Sequence, residues 1–301
     1  MLIFATRPSA LARWQTDHII ELLQAAWPEL NCHTEIFTTK GDRILDKPLP
    51  EIGGKGLFTS ELEEALLAGR VSAAVHSLKD LPTEATPGLI IGTIPARADA
   101  RDAWICPAGH TLATLPKGAT VGTSSTRRRA QLLARRPDLD LQPIRGNVDT
   151  RLRKVQEGQY DALVLAAAGL ARLGLQTHIT SYLSFEEMLP APGQAALAVQ
   201  CRADDKKTLE ILHVLEHTPT RQAVTTERAF LDSLGGGCSL PVGAYATLTG
   251  NTITLRGVVA SPDGSQVLFL RGQGTDPAQI GHSLAVQALA QGAREMIDLI
   301  G

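Results

Sequence analysis

Cysteine and aromatic side chains are scarce in this chain of 301 residues. The four cysteines, Cys32, Cys106, Cys201 and Cys238, lie far apart and lack the C-x-x-C spacing of a zinc site, so neither disulfides nor a metal site is expected. Aromatic residues make up 4%, so burial must rest on Ala, Leu, Val and Ile, which suit alternating strands and helices. No apolar run reaches the ~18 residues of a membrane span, and no export or transit signal opens the sequence. We therefore expect a cytoplasmic α/β protein without membrane contact.

Charge of one sign is not in excess either, because 29 basic and 31 acidic residues leave a formal net charge of −2. The basic residues are unevenly chosen, with 21 arginines against 8 lysines. Arginine forms planar, bidentate contacts with carboxylates and phosphates, so the excess suggests a polyanionic ligand; a coding bias toward arginine explains it equally well. A near-neutral chain with few aromatics to stack bases is not expected to bind nucleic acid.

Strand and helix patterns alternate through most of the chain. Ser9 follows the first strand and is placed to cap a helix. The connection at 40–56 is rich in Gly, Pro and charge, which predicts a mobile binding loop, and Ser60 with Glu63 forms a capping-box pattern that opens the next helix. The predicted strands lie at 2–5, 33–39, 73–75, 121–123, 141–144, 162–166, 196–200, 242–249, 252–260 and 266–272, with helices from about 126 and at 148–158.

This order predicts an α/β protein with two binding-protein-like lobes joined by a double crossover, plus a small C-terminal α+β domain. The first lobe comprises 1–96 and 196–214, because the late strand can return to the first sheet. The second lobe comprises 100–190, and the third domain, at 218–301, holds one helix, a Gly-rich corner, three strands and a closing helix. Sheets of this kind bind ligands beyond the carboxyl ends of their strands.

The densest basic cluster lies where a predicted strand ends and a helix begins. Free backbone N–H groups, hydroxyls and guanidinium groups meet there, which is typical of an anion site; a capped, solvated helix start is the alternative. The candidate binding residues are Thr123, Ser124, Ser125, Arg127 and Arg128.

A second junction between a strand and a helix repeats this arrangement. Each arginine taken singly is more often a surface residue than a ligand, but cations recur after several strands, which favours one shared cleft. The candidates are Arg145, Gly146, Asn147 and Arg151 at this junction, Arg7 and Ser9 after the first strand, and Arg172 after the strand at 162–166.

Asp80 follows a buried strand and is held by a turn that ends at Pro82. A carboxylate in that position can stabilise a developing cation, although an Asp that supports its own turn has the same pattern. Cys238 follows three glycines at a flexible corner, where its thiol can reach outward and be substituted. A lone cysteine is more often a small buried hydrophobe, but three glycines disfavour a well-packed core.

Seven segments, spread over the whole chain, resemble the hydroxymethylbilane synthase (porphobilinogen deaminase) family. They occur in the family's order, which makes a chance match improbable. The segments are Ala5-Thr6-Arg7-x-Ser9, Gly54-Lys55-Gly56-Leu57-Phe58, His76-Ser77-Leu78-Lys79-Asp80-Leu81-Pro82, Gly122-Thr123-Ser124-Ser125, Ile144-Arg145-Gly146-Asn147, Pro190-Ala191-Pro192-Gly193-Gln194 and Gly236-Gly237-Cys238.

The resemblance implies a monomeric enzyme that joins four porphobilinogen molecules to a dipyrromethane cofactor and then releases the linear tetrapyrrole by hydrolysis. It implies that Cys238 carries this cofactor through a thioether bond and that Asp80 is the catalytic carboxylate. Arg7, Arg127, Arg128, Arg145, Arg151 and Arg172 are implied to hold acetate and propionate side chains. Ser77, Lys79, Thr123, Ser125 and Gln194 are implied as supporting contacts, with Lys55 and Phe58 in the mobile loop and at its edge.

The sequence departs from the family where Ala195 stands in place of a usual glycine, and Arg129 is an extra cation with no assigned role. Two other classes of protein compete with the enzyme. A solute-binding protein with an arginine-lined cleft normally carries an export signal and gives no reason for the glycines before Cys238. A nucleic-acid-binding regulator conflicts with the near-zero net charge.

Overall fold

A computed structural model describes residues 1–43, 56–237 and 240–298. The chain forms two compact units: the first comprises 1–98 and 195–221, and the second comprises 99–194 and 222–301. Within the described residues, no helix combines the length and the apolarity needed to cross a bilayer. The predicted loop at 40–56 lies largely outside this description, as do Lys55 and Cys238.

The first unit contains a five-stranded sheet in the order β2-β1-β3-β10-β4. The first three strands in chain order run parallel, whereas β10 is antiparallel to both of its neighbours. Its strands are β1 (Leu2–Thr6), β2 (Cys32–Ile36), β3 (Ala73–Ser77), β4 (Leu89–Thr93) and β10 (Leu197–Arg202). Its helices are α1 (Ala10–Ala26), α2 (Lys40–Arg43), α3 (Ser60–Leu67) and α7 (Lys206–His213).

Helices cover both faces of this sheet because alternate residues of its strands are apolar on either side. Phe4 packs with Ile19 and Leu23 of α1 on one face, and Ala5 packs with Leu62 of α3 on the other. The polar ends of the strands are therefore left at the edges of a buried sheet, where a site can form.

The second unit contains another five-stranded sheet, in the order β7-β6-β8-β5-β9. Strands β6, β7 and β8 are parallel, and β5 runs antiparallel to β8 and β9. The strands are β5 (Asp102–Ile105), β6 (Thr120–Gly122), β7 (Asp140–Gln142), β8 (Ala162–Ala166) and β9 (Ser181–Tyr182). The helices are α4 (Thr126–Arg135), α5 (Val148–Gln156) and α6 (Ala167–Arg172).

The C-terminal part of the chain forms a three-stranded antiparallel sheet with helices against one face. Phe230, Leu255 and Leu284 lie at the centre of its core. The strands are β11 (Val242–Thr249), β12 (Thr252–Ala260) and β13 (Val267–Gly274), and the helices are α8 (Thr218–Ser233), α9 (Pro277–Ala290) and α10 (Ala293–Asp298).

The predicted α/β class is confirmed, with two α/β lobes, a chain that passes from one unit to the other and returns, and a C-terminal α+β part. The predicted strands are all present, with ends shifted by a few residues. Strands β4, β5 and β9 are missing from the prediction, because Pro, Gly and charged residues near them obscure the strand pattern. The division into three domains at 1–96 with 196–214, 100–190 and 218–301 stays a prediction.

Two local predictions are wrong. Ser60 is not a helix cap: Thr59 takes that position, and the Ser60 hydroxyl donates to the carbonyl of Gly56 at 2.9 Å. The single closing helix is two helices, because Gly292, with φ of 90°, interrupts the run between α9 and α10. The predicted Ser9 cap is confirmed, since its Oγ accepts from Ala12 N at 3.3 Å.

Candidate active site

Asp80 lies in a short 3₁₀ turn, Leu78–Asp80, that directly follows β3. Leu78 and Leu81, which flank Lys79 and Asp80 in sequence, are buried, and Leu78 N donates to Ala196 O at 3.0 Å. These contacts hold the turn against the rest of the first unit. Asp80 itself is exposed. A buried frame thus presents one carboxylate to solvent at the carboxyl end of the sheet, as the sequence predicts.

A buried hydrogen-bonded chain supports this strand. His76 Nε2 lies 3.1 Å from Gln200 Oε1, and Gln200 Nε2 donates to Glu63 Oε1 at 2.9 Å. Because the amide group donates to Glu63, its oxygen accepts, and Nε2 of His76 carries the proton. Burial lowers the pKa of His76 to about 4, with a further contribution from the charge of Arg7, so the imidazole is neutral at pH 7. Next to it, Ser77 Oγ accepts from Gln15 Nε2 at 2.9 Å.

Arg7 follows β1, the parallel neighbour of β3, so it lies at the same edge of the sheet as Asp80. Its guanidinium makes a two-point contact with Asp42, which the sequence reading did not single out: Nε to Oδ2 is 3.1 Å and Nη2 to Oδ1 is 2.5 Å. Burial by itself raises the pKa of Asp42, but hydrogen bonds from Arg7 and Thr39 outweigh it and lower the pKa. The ring of Phe58 covers the guanidinium at 4.3 Å.

In the second unit, hydroxyl residues after β6 join two loops. Ser124 Oγ donates to Ile144 O at 2.7 Å and accepts from Ile144 N at 3.0 Å. Ser125 caps α4 by accepting from Arg128 N at 3.4 Å, and Thr123 Oγ1 accepts from Ser125 N at 3.2 Å. These three side chains build the predicted junction, and direct ligand contact by any of them stays a prediction.

Arg127 and Arg128 are almost fully buried and share one carboxylate, that of Asp102 on β5. Nη2 of Arg128 lies 2.7 Å from Oδ1, and Nη1 of Arg127 lies 2.9 Å from Oδ2. Both guanidinium groups also donate to backbone carbonyls, those of Leu189 and Val164 respectively. Burial raises the pKa of Asp102, but the two cations outweigh that effect and hold the carboxyl ionised.

This cluster carries a net positive charge, because two cations face one anion. Arg127 Nε is buried and has no hydrogen-bond acceptor within the described structure. Its neighbour Gln194 is likewise buried and donates to Asp102 Oδ1 at 2.9 Å and to Ala100 O at 2.8 Å. Unmatched positive charge in a buried cluster favours an anionic ligand nearby.

The second predicted junction follows β7, which is parallel to β6 in the same sheet. Gly146 has φ of 113°, and a Cβ there would lie 2.8 Å from Thr150 Cγ2, so the loop requires glycine. Asn147 precedes α5, and Arg151 Nε donates to Gly146 O at 2.7 Å. The candidates that follow β6 and β7 are Thr123, Ser124, Ser125, Arg145, Gly146, Asn147 and Arg151, whereas Arg172 lies at the far end of the helix that follows β8.

Arg172 closes α6, and burial lowers the pKa of its guanidinium to about 10. Cys238 and Lys55 lie outside the described residues; the three glycines before Cys238 all have positive φ. The other three cysteines are free thiols. No group of three potential metal ligands occurs in 1–43, 56–237 or 240–298.

Comparison with known proteins gives consistent matches along the chain. The family described as "Porphobilinogen deaminase, dipyromethane cofactor binding domain" matches residues 2–210, and "Porphobilinogen deaminase, C-terminal domain" matches residues 221–290. A porphobilinogen deaminase of Brevibacillus brevis is 50% identical over 97% of this chain and 95% of its own. Those of a Roseiflexus species and of Roseiflexus castenholzii are 51% and 52% identical, each over 98% of both chains.

Proposed function

The chain belongs to the porphobilinogen deaminase family, and from this premise we propose which of its residues perform the reaction. The protein is a hydroxymethylbilane synthase, a transferase of tetrapyrrole biosynthesis that joins four porphobilinogen molecules on a dipyrromethane primer and releases the product by hydrolysis. The observation that carries the residue assignment is the exposed carboxylate of Asp80, which lies in a turn at the sheet edge where Arg7 also lies.

The chemistry requires a fixed anion. Porphobilinogen loses its amino group as ammonia, so the electron pair of the C–N bond leaves with nitrogen and positive charge spreads over the substrate's ring. A C–C bond replaces the broken bond, and the attacking pyrrole carbon gives up a proton. Asp80 stabilises the positive charge and accepts hydrogen bonds from pyrrole N–H groups, because its turn holds the carboxylate in place before the charge forms.

The arginines bind carboxylates. Each porphobilinogen carries an acetate and a propionate group, so every added ring brings two carboxylates that lose their hydration on binding. Planar guanidinium groups at fixed positions replace that solvation with bidentate contacts. We assign this role to Arg7, Arg127, Arg128, Arg145, Arg151 and Arg172, with support from Ser9, Ser77, Lys79, Thr123, Ser124, Ser125, Gly146, Asn147 and Gln194.

The residues of the second unit fit a polycarboxylate primer. Its buried cluster has one more positive than negative charge, and Arg127 Nε has no acceptor among the residues that the structure describes. The dipyrromethane, when bound through a thioether to Cys238, supplies the pyrrole end to which the first substrate is joined. The chain's own part is to neutralise acid side chains and to orient the pyrroles. Lys55 and Phe58, which belong to the first unit, are also proposed as cofactor- or substrate-binding residues.

Two variants test these assignments. Asp80→Asn should fold and keep the mass of the primer-bearing enzyme but lose nearly all turnover, whereas Asp17→Asn, an equal charge change on the exposed face of α1, should retain both. Cys238→Ser should lack both the extra mass and the Ehrlich colour of a dipyrromethane. An active Asp80→Asn enzyme would remove the role of Asp80, and a normal pyrrole signal in Cys238→Ser would relocate the attachment point.

We also propose that the enzyme acts as a cytoplasmic monomer that does not bind nucleic acid. The near-zero net charge and the three free thiols support this proposal. Light scattering and fractionation of the native host test it: a dimer or an exported form would contradict it.

A further inference from the structure

One edge of the Arg7 guanidinium, formed by Nε and Nη2, is already bound to a carboxylate of the protein itself, that of Asp42. Both nitrogens contact Asp42, at 3.1 Å and 2.5 Å, and the side chains of Arg7 and Asp42 are only 25% and 13% exposed. The ring of Phe58 covers one guanidinium face. What remains for a ligand is the edge that carries Nη1, since no contact within the described structure uses that atom.

Asp42 is itself anchored independently of Arg7. Its Oδ2 accepts from Thr39 N at 3.1 Å and from Thr39 Oγ1 at 2.8 Å. The neighbouring Gly41 packs against Phe58 so closely that any side chain there would overlap the ring. Asp42 is therefore held beside Arg7 by contacts that do not depend on Arg7 itself.

We propose that Asp42 sets the strength with which Arg7 binds the carboxylate of porphobilinogen, by orienting the guanidinium and offsetting its charge. This inference rests on the proposed contact between Arg7 and the substrate. A carboxylate bound at the Nη1 edge lies close to the Asp42 carboxylate, and the two like charges repel each other. Asp42 therefore acts as a positioning residue that weakens binding.

Weak binding suits a reaction that is repeated four times. Each ring, once joined, must leave the position that the next porphobilinogen takes. A guanidinium with its full charge holds the joined ring and delays the next addition, because binding that is equally strong before and after coupling slows release. A partly neutralised Arg7 recognises the carboxylate and still lets it go.

The decisive variant is Asp42→Asn in the primer-bearing enzyme, because asparagine keeps the shape and can still accept from Thr39. We expect the KM for porphobilinogen to fall roughly three- to tenfold, since one nearby negative charge is removed in a partly solvated site. We also expect kcat to fall, and intact mass under limiting substrate to show more enzyme that carries one to three added rings. Structural damage does not lower KM.

Asp138→Asn is the matched control. Asp138 also makes a two-point contact with an arginine, Arg136 Nε and Nη2 at 2.8 and 2.7 Å, so the variant loses the same charge from the same kind of pair. It should leave KM and kcat unchanged.

Arg7→Gln separates this inference from its premise. It should raise KM, and adding Asp42→Asn to it should then have no further effect. A KM that is unchanged in Arg7→Gln overturns the substrate contact itself. A KM that rises in Arg7→Gln but does not fall in Asp42→Asn overturns the role of Asp42 alone.

Discussion

Asp102→Asn is the substitution that most sharply tests how the second unit is built. The Asp102 side chain is fully buried and neutralises one of two buried guanidinium groups. Asparagine keeps the shape and one acceptor oxygen, which can still bind Gln194, but it leaves two cations without an anion. Removing one partner from a buried ion pair costs about 3–5 kcal/mol.

The expected loss of thermal stability follows from that figure. For a unit of this size, 1 kcal/mol corresponds to about 2–4 °C in Tm, so Asp102→Asn should lower the Tm of the second unit by roughly 6–20 °C. The paired cations lower the pKa of Asp102, so the stability it contributes is present above the unfolded pKa of about 3.9 and is lost only in strong acid. The difference in Tm should therefore be constant between about pH 6 and 8.

Differential scanning calorimetry at several pH values measures both quantities. Asp138→Asn, which alters a partly exposed pair with Arg136, is the control and should lower Tm much less than Asp102→Asn does. A loss of less than about 2 °C in Asp102→Asn, or a loss that varies across neutral pH, would refute the argument that this carboxylate holds the buried arginines.

Substitutions at Ala195, His76 and Gly146 test further local features of the fold. Ala195 has φ of 71°, where a side chain costs roughly 1–2 kcal/mol, so Ala195→Gly should raise Tm and Ala195→Val should lower it; equal Tm values would contradict strain at this residue. Burial lowers the pKa of His76 to about 4, so the unfolded chain binds more protons between about pH 4 and 6.5, and about 3 kcal/mol of stability is lost as pH falls through that window. His76→Gln should flatten the pH dependence of the urea midpoint. An unchanged slope would show that a group other than His76 causes this pH dependence. Gly146→Ala places a Cβ against Thr150 at a residue with positive φ, so it should lower Tm by several degrees. Gly109 also has positive φ, but a Cβ there has nothing within 4 Å, so Gly109→Ala should lower Tm less. Equal losses of Tm would show that the contact with Thr150 costs no stability.

The order of strands and helices was predictable because it depends on local pattern. Apolar runs such as Ala162–Ala166 and the cap at Ser9 are set by neighbours in sequence, and both occur as predicted. Strand β5 was not predictable in the same way. It begins with Asp102, and a charged residue at a strand start argues against burial until its two arginine partners are known.

The candidate site could likewise be predicted only in part from the sequence. The sequence placed Arg7 and Asp80 after strands, and because β1 and β3 are parallel neighbours both lie at one edge of the sheet. It did not reveal that Asp42 faces Arg7 across 35 positions, or that Asp102 faces Arg128 across 26. No spacing rule links such residues, since tertiary folding alone brings them together.

These pairings change how the excess of arginine is explained. Arg136, Arg202 and Arg221 each contact a carboxylate of the protein itself, as Arg7 does, so part of the excess maintains the fold. The cluster of Arg127 and Arg128 differs, because two cations share one anion and a net positive charge remains buried. An arginine attracts an anionic ligand in proportion to the charge that the fold leaves unmatched. This difference supports the proposal that the second unit holds the primer's carboxylates throughout the reaction, and the proposal that Arg7 makes contacts that form and break with each addition.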